Sequence, residues 1–311
     1  MMTRWFFLIA AITLMAGCGG GDKTTADKGG GGKLNVVTTT MQTGDLVREV
    51  GGEHVQVTTL MGPGIDPHQY KASAGDVDRL GRADLIVYNG VHLEAKMADV
   101  LERLGHHKPT LAAGEAIPED ELITTDGAHD PHVWFDVARW RLALDAVAAR
   151  LQELDPTHAA DYQANAARYR EELTALHEYC RFEVQKIPVQ QRILITAHDA
   201  FNYLGRAYGL EVVGLQGIST LAEAGTSDVQ DLAELIARRK IPALFVETSV
   251  SPRAIEAVRE AVRARGFDVK VGGSVYSDAM GDLGTPEGTY VGMVRHNIDT
   301  IVKSLGGKEQ P

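Results

Sequence analysis

Four short stretches of this chain concentrate side chains able to hold a metal ion. Gly62-Pro63-Gly64-Ile65-Asp66-Pro67-His68 is a rigid turn that delivers an imidazole, and His129-Asp130-Pro131-His132 repeats the Asp-Pro-His triplet. Thr196-Ala197-His198-Asp199 sets a third imidazole at the end of an apolar run, and Tyr276-Ser277-Asp278 adds a carboxylate after another. Three imidazoles and one carboxylate form a borderline-hard donor set suited to Zn(II), Mn(II) or Fe(II). Any one of these histidines alone reads as a packed or surface residue. Two matching triplets with a strand-end histidine make a constellation.

The elements that must position them follow an α/β rhythm. Residues 34–40, 55–60 and 85–88 are short runs rich in β-branched or apolar residues and read as strands. Helical spacing over 41–50 and 74–82 separates them. The same alternation returns with strands at 192–196, 211–215, 243–246 and 269–271 and helices at 199–208, 227–239 and 252–265. This pattern implies mostly parallel sheets flanked by helices, in two lobes that each bury their own core. Ligands bind beyond the carboxyl ends of parallel strands, so His68, His132, His198 and Asp278 are expected to converge on the cleft between the lobes. Between the lobes, helical patterning runs from Asp155-Pro156 to Pro188 without glycine or proline. About 30 residues would form one rigid helix about 45 Å long. Asp155 is expected to cap its free amides, with proline in the first turn. A single rigid connection predicts limited lobe motion.

Composition excludes several functions. Of 311 residues, 42 are acidic and 31 basic, a formal charge of −11, which argues against a nucleic-acid grip. Two cysteines supply neither a disulfide framework nor a multi-cysteine zinc site. Residues 1–18 read as a secretory leader, with Arg4 before an eleven-residue apolar run too short to span a bilayer. Residues 19–33, rich in Gly and Lys, read as a flexible tether. The expected divisions are then 34–155 for the first lobe, 156–187 for the linking helix and 188–311 for the second lobe.

Leu14-Met15-Ala16-Gly17-Cys18 resembles a bacterial lipobox, which implies a lipidated Cys18 at the mature amino terminus. From Leu34 to the carboxyl terminus the chain resembles the zinc/manganese-type solute-binding lipoproteins of bacterial ABC transporters. The resemblance is carried by residues 64–70, Asn89-Gly90-Val91-His92-Leu93-Glu94, residues 130–136, Ala197-His198-Asp199-Ala200-Phe201, Val246-Glu247 and residues 276–281, then Tyr290, Met293 and Asn297. It implies two α/β lobes on one long helix, with a single ion in the cleft held by His68, His132, His198 and Asp278. The implied cargo is Zn or Mn, with Fe ranked behind them, and the implied partner is an ABC permease. The implied location is extracytoplasmic, lipid-anchored to a bacterial membrane, facing the periplasm or cell exterior, as a monomer that binds no nucleic acid. His198 stands where manganese-type members commonly carry glutamate, and no long acidic, histidine-rich tract separates His68 from His132. The loop at 219–225 lacks the family's usual proline. The alternatives are a zinc-dependent hydrolase, which would need a nearby base and shows no His-Glu-x-x-His or Gly-x-Ser-x-Gly motif, and a metal-stabilised surface adhesin lipoprotein.

The remaining residues call for plainer readings. His106 and His107 are expected to be solvated, and His129 exposed. Glu247 is either a hydrogen-bond acceptor that orients a ligand histidine or a turn carboxylate, and Asp136 and Asp199 are similar cases. Tyr162, Tyr169 and Tyr179 on the linking helix are expected to pack. Cys180 reads as a free, partly packed thiol.

Overall fold

The computed structural model describes residues 32–125 and 127–307. The leader, Cys18 and the tether up to residue 31 lie outside the described residues. The described residues begin with β1 (Leu34–Thr38), α1 (Met41–Gly51), β2 (Val55–Thr59), α2 (Ala74–Arg82), β3 (Leu85–Tyr88), α3 (Ala98–Gly105) and β4 (Thr110–Ala112). These strands form one parallel sheet in the order β2-β1-β3-β4. A small antiparallel pair, β5 (Thr124–Thr125) and β6 (Ala128–His129), then leads to α4 (Val137–Leu154) and the linking helix α5 (Ala159–Val184). The second half contains β7 (Ile193–His198), α6 (Asn202–Tyr208), β8 (Glu211–Gln216), α7 (Thr226–Arg239), β9 (Ala243–Glu247), α8 (Arg253–Ala264), β10 (Lys270–Val275) and α9 (Tyr290–Ser304). There β7 pairs with β8 and β9 with β10, both parallel, and β7 lies beside β9.

Local chemistry starts several helices where the sequence changes period. Thr40 accepts the Thr43 amide at the start of α1, and Ser73 with Asp76 forms a reciprocal capping box on α2. Asp136 accepts the Arg139 amide and pairs with its guanidinium at 2.6 Å, so this carboxylate is a cap. Strand β1 is flanked by β2 and β3 and buries Val36, Val37 and Thr38, as a central parallel strand covered on both faces must.

The linking helix is continuous. One 3-10 turn, Pro156–His158, precedes the 26 residues of α5, which at 1.5 Å each span about 39 Å. Asp155 does not cap the helix amides. Its Oδ2 instead accepts from His158 Nδ1 at 2.6 Å and from the Tyr162 hydroxyl at 2.8 Å, two side-chain donors that outcompete the amides. Nor does helix α6 begin at Asp199. The Asp199 amide donates to the Gly217 carbonyl and the Ala200 amide to the His198 carbonyl, so the first helical residue is Asn202.

The core also departs from the expectation of one per lobe. A single apolar cluster runs from β1 through α1, α4 and α5 to α6 and α9, and two smaller clusters line the outer faces of the sheets. Tyr162 and Tyr169 are buried within it, and Tyr179, at its edge, hydrogen-bonds Asp299. Cys180 is buried there as well, and burial pushes its thiol up to about 12, which makes it inert. At the α1–α5 seam the buried Asp45 carboxylate accepts from the Tyr169 hydroxyl at 2.6 Å. Burial raises its pKa from 3.8 to about 6, against the pull of that hydrogen bond.

A carboxyl whose pKa is raised by folding binds its proton more tightly in the native state, so stability falls as pH rises from about 4 to 6. The full penalty above that window is about 3 kcal/mol. Asp45→Asn keeps an acceptor for Tyr169 and removes the charge. It should stabilise the protein in urea unfolding at pH 7.5 and change little at pH 4. Equal effects at both pH values would contradict the assignment.

Candidate metal centre

Both Asp-Pro-His triplets build the same local turn. The His68 amide donates to Asp66 Oδ1 and the His132 amide to Asp130 Oδ1, each at 2.9 Å. An aspartate that accepts the amide two residues on closes a tight turn, and proline between them fixes φ. Gly64, at φ +71°, lets the chain reverse just before the first triplet. Asp130 Oδ1 also takes His132 Nδ1 at 2.7 Å, which turns Nε2 of that ring inward. Behind it, Asn89 donates to the Pro131 carbonyl at 3.0 Å. Glu94 in turn accepts from the Asn89 and Gly90 amides and from Thr39.

The other two groups come from the second half. His198 is the last residue of β7, and Glu247 the last of neighbouring β9. Glu247 Oε1 accepts the Ala197 and His198 amides at 2.7 and 2.9 Å, and its Oε2 lies 2.6 Å from His198 Nδ1. Glu247 thus lies beside Nδ1 of the His198 ring, whose Nε2 faces Asp278. Asp278 lies three residues past β10 on a loop gripped from the first half of the chain. Gln42 donates to the Asp278 carbonyl at 3.1 Å, and Trp134 to the Ser277 carbonyl at 3.2 Å. Asn297 holds both the amide and the carbonyl of Tyr276.

The structure brings His68, His132, His198 and Asp278 together, with one donor atom of each within 4.8 Å of the others and every residue buried. His132 Nε2 is 3.2 Å from Asp278 Oδ1, and His198 Nε2 is 3.3 Å from Oδ2. His68 Nε2 stands 3.3 Å from His132 Nε2 and 4.0 Å from Asp278 Oδ2. Both Asp278 oxygens and His198 Nε2 are buried without a hydrogen-bond partner. Orphaned donors and acceptors of this kind are costly, and three inward-facing imidazoles with one carboxylate could satisfy them all on a divalent transition-metal ion.

The histidines outside the cluster are elsewhere. His92, His106 and His107 are exposed, and His129 is half-buried with its ring 3.8 Å from Glu119. Asp199 is drawn up by burial and lies beside Asn202. Sequence reasoning missed Gln42, Asn202 and Thr220 as supports of the site, because nothing in their spacing marks them.

Burial acts on every member of the cluster, and neighbouring charge decides the outcome. Desolvation lowers His68 to about 4, with Asp278 only partly offsetting it. The same desolvation acts on His132, but the Asp130 charge and hydrogen bond, with Asp278, outweigh it and raise that ring to about 9. For His198, Glu247 and Asp278 overcome burial and hold the pKa well above the ordinary value. Asp278 is held well below the carboxylate range, because the imidazoles outweigh its own desolvation.

A two-lobed α/β frame on one continuous helix, with a buried imidazole–carboxylate cluster at the inner strand ends, defines a cleft-type binding protein. The chain belongs to the zinc-uptake complex component A periplasmic family, whose model matches residues 36–304. It is 47% identical over 307 residues to the manganese-binding lipoprotein MntA of Bacillus subtilis, covering 98% of each chain. It is 49% identical over 280 residues to the zinc-binding protein TroA of Treponema pallidum, covering 90% of this chain and 91% of that one. The solved structure of TroA superimposes with a TM-score of 0.87 over 88% of this chain and all of that one. Fe(III)-bound YtgA of Chlamydia trachomatis, 26% identical, superimposes at 0.82 over 90% of this chain and all of that one.

In metal-free protein at pH 7, His132 should carry a proton on both ring nitrogens while His68 stays neutral. Nitrogen chemical shifts of the histidine rings measured across pH 4 to 10 check this. Asp130→Asn should move the His132 midpoint downward, and a midpoint that does not move would remove Asp130 as the cause.

Proposed function

We propose that this protein captures one divalent transition-metal ion, Zn(II) or Mn(II), outside the cytoplasm and delivers it to the membrane permease of an ABC transporter. The observation that carries the reading is the burial of His68, His132, His198 and Asp278 around one point, contributed by both halves of the chain. The ion is cargo, bound through the three Nε2 atoms and one or both Asp278 oxygens. It replaces a proton on imidazoles whose neighbours favour protonation, so uptake releases protons and affinity falls as pH falls. Glu247 and Asp130 hold the ligand rings in the binding tautomer. Relatives named as lipoproteins of metal transport support an extracytoplasmic, membrane-anchored setting. In this reading Cys18 carries the lipid, and the protein acts as a monomer. Among the described residues no helix is long and apolar enough to cross a membrane.

The protein is read as a carrier and not as an enzyme. A hydrolytic zinc site keeps an open position and a carboxylate free to take a proton from water. Here the Glu247 carboxylate accepts two backbone amides with one oxygen, and its other oxygen lies 2.6 Å from His198 Nδ1.

Saturating Zn(II) should raise the melting temperature of the wild type, because a ligand of the native state stabilises by about 2.7 kcal/mol at a hundred times its Kd. His198→Ala or His68→Ala should abolish that shift in differential scanning fluorimetry. A variant that keeps the full shift loses its place as a ligand.

Selectivity follows from donor chemistry. For nitrogen and oxygen donors Zn(II) outcompetes Mn(II) unless the site imposes a geometry zinc resists. The wild type should therefore bind Zn(II) more tightly in competitive titration at fixed pH. His198→Glu adds a second carboxylate and should narrow the gap. A wild type that prefers Mn(II), or an unchanged ratio in the variant, would place selectivity outside the four donors.

A further inference from the structure

The two triplet aspartates share a second feature. In each, one oxygen closes the local turn onto its histidine, and the other reaches into the opposite half of the chain. Asp66 Oδ2 accepts the Thr220 hydroxyl at 2.6 Å, and Asp130 Oδ2 accepts from Asn202 Nδ2 at 3.1 Å. Thr220 lies in the loop between β8 and α7, 154 residues from Asp66, and Asn202 opens α6, 72 residues from Asp130. Each first-half metal-ligand turn is thus fastened to the half that carries His198 and Asp278 through the carboxylate that shapes the turn.

The Thr220 contact is the sharper of the two. Most other bonds of loop 217–225 are local: Gln216 Nε2 donates to the Ala222 carbonyl at 3.3 Å, the Leu221 amide to Ser219 Oγ at 3.4 Å and the Gly225 amide to Asp228 Oδ2 at 2.7 Å, while the Gly217 carbonyl accepts the Asp199 amide at 3.3 Å. Within it Thr220 is buried while its neighbour Leu221 is 49% exposed, so the loop turns a polar side chain inward and an apolar one outward. A buried hydroxyl needs a partner, and a charged acceptor at this distance makes a strong one. Gln69, directly after His68, donates to the same Asp66 oxygen at 3.1 Å and lies 3.5 Å from Thr220 Oγ1.

We propose that Asp66–Thr220 and Asp130–Asn202 are two inter-lobe clasps that set the rate of metal release, with Thr220 and Asn202 acting as positioning residues through the triplet aspartates. The inference rests on the reading of the buried cluster as a metal site. None of the four donors is altered by opening a clasp. What changes is how often the first-half turns swing away from His198 and Asp278, the motion that frees the ion. Loss of a clasp therefore appears in the dissociation rate, while the coordination of the bound ion and its rate of capture stay as they were.

The experiment is stopped-flow release of Zn(II) into excess EDTA from the full chain, for wild type, Thr220→Val, Thr220→Ser, Asn202→Ala and the Thr220→Val/Asn202→Ala pair. Valine keeps the shape of threonine and removes the donor, and serine keeps the donor. One charge-assisted hydrogen bond at a partly solvated seam corresponds to release about tenfold faster in Thr220→Val, with Thr220→Ser near the wild type. Asn202→Ala should also release faster, and the pair faster than either single variant. Visible absorption of the Co(II)-loaded proteins should be identical in all five, which a general loosening of the site would not leave unchanged. Release from Thr220→Val at the wild-type rate, or an altered Co(II) spectrum in it, overturns the clasp at Thr220. Should Thr220→Val not fold, Asn202→Ala alone decides by the same two readouts. A wild type that takes up no Zn(II) overturns the metal reading itself, a separate outcome seen before any variant is compared.

Discussion

Everything about the cleft depends on holding two sheets at one separation, and an apolar seam along α5 provides it. Helices α1 and α4 from the first half and α9 from the second pack on the same 26-residue helix, and one cluster of buried side chains runs through all of them. A close-packed interior resists small displacements, so the strand ends that carry His198 and the loop that carries Asp278 are presented to His68 and His132 at fixed distance. Two lobes with separate cores joined by loops would leave that distance free to vary. The cost is visible at Asp45, whose carboxylate is trapped in the seam and partly neutralised by it.

Given that frame, the cluster is an electrostatic balance among six groups. Asp278 faces three imidazoles, and two of those rings are backed by a further carboxylate, Asp130 or Glu247. Three carboxylates and three imidazoles in a buried volume are tolerable because each charge has a counter-charge at hydrogen-bond distance. The backing carboxylates lie at Nδ1 of these two rings, opposite the Nε2 atoms that face Asp278. His68 lacks such a partner; its Nε2 sits against His132, and burial keeps it neutral.

The supports of the site are shared across the halves in both directions. Gln42 and Trp134 hold the backbone of the Asp278 loop from the first half, while Thr220 and Asn202 hold the triplet aspartates from the second. Tyr290 joins these sets, since its hydroxyl donates to the Trp134 carbonyl at 2.6 Å from the start of α9. The Asp278 loop is therefore positioned by residues far from it in sequence. Relatives of this chain are named for manganese and zinc, and a solved structure that superimposes on it for Fe(III).

Much of this was legible in the residues alone, and the reason is range. Strand and helix periods and the Asp-Pro-His turns are set by contacts within a few positions, and the structure shows them at 34–38, 74–82 and both triplets. Helix α4 was not expected from the sequence, although Trp140, Leu144, Val147 and Leu151 fall on its buried face, and neither was α9. What the residues could not decide was partnership over long separations. Asp155 offered its carboxylate to helix amides and took His158 and Tyr162 instead, a choice among donors that only packed geometry makes. Gln42 reaches Asp278 across 236 positions and Thr220 reaches Asp66 across 154. A lone glutamine or threonine has no period and no spacing to reveal such a bond. Residue types and local turns were written in the sequence, whereas the convergence of four buried groups, and the fastenings that hold them, exist only once the seam along α5 has closed.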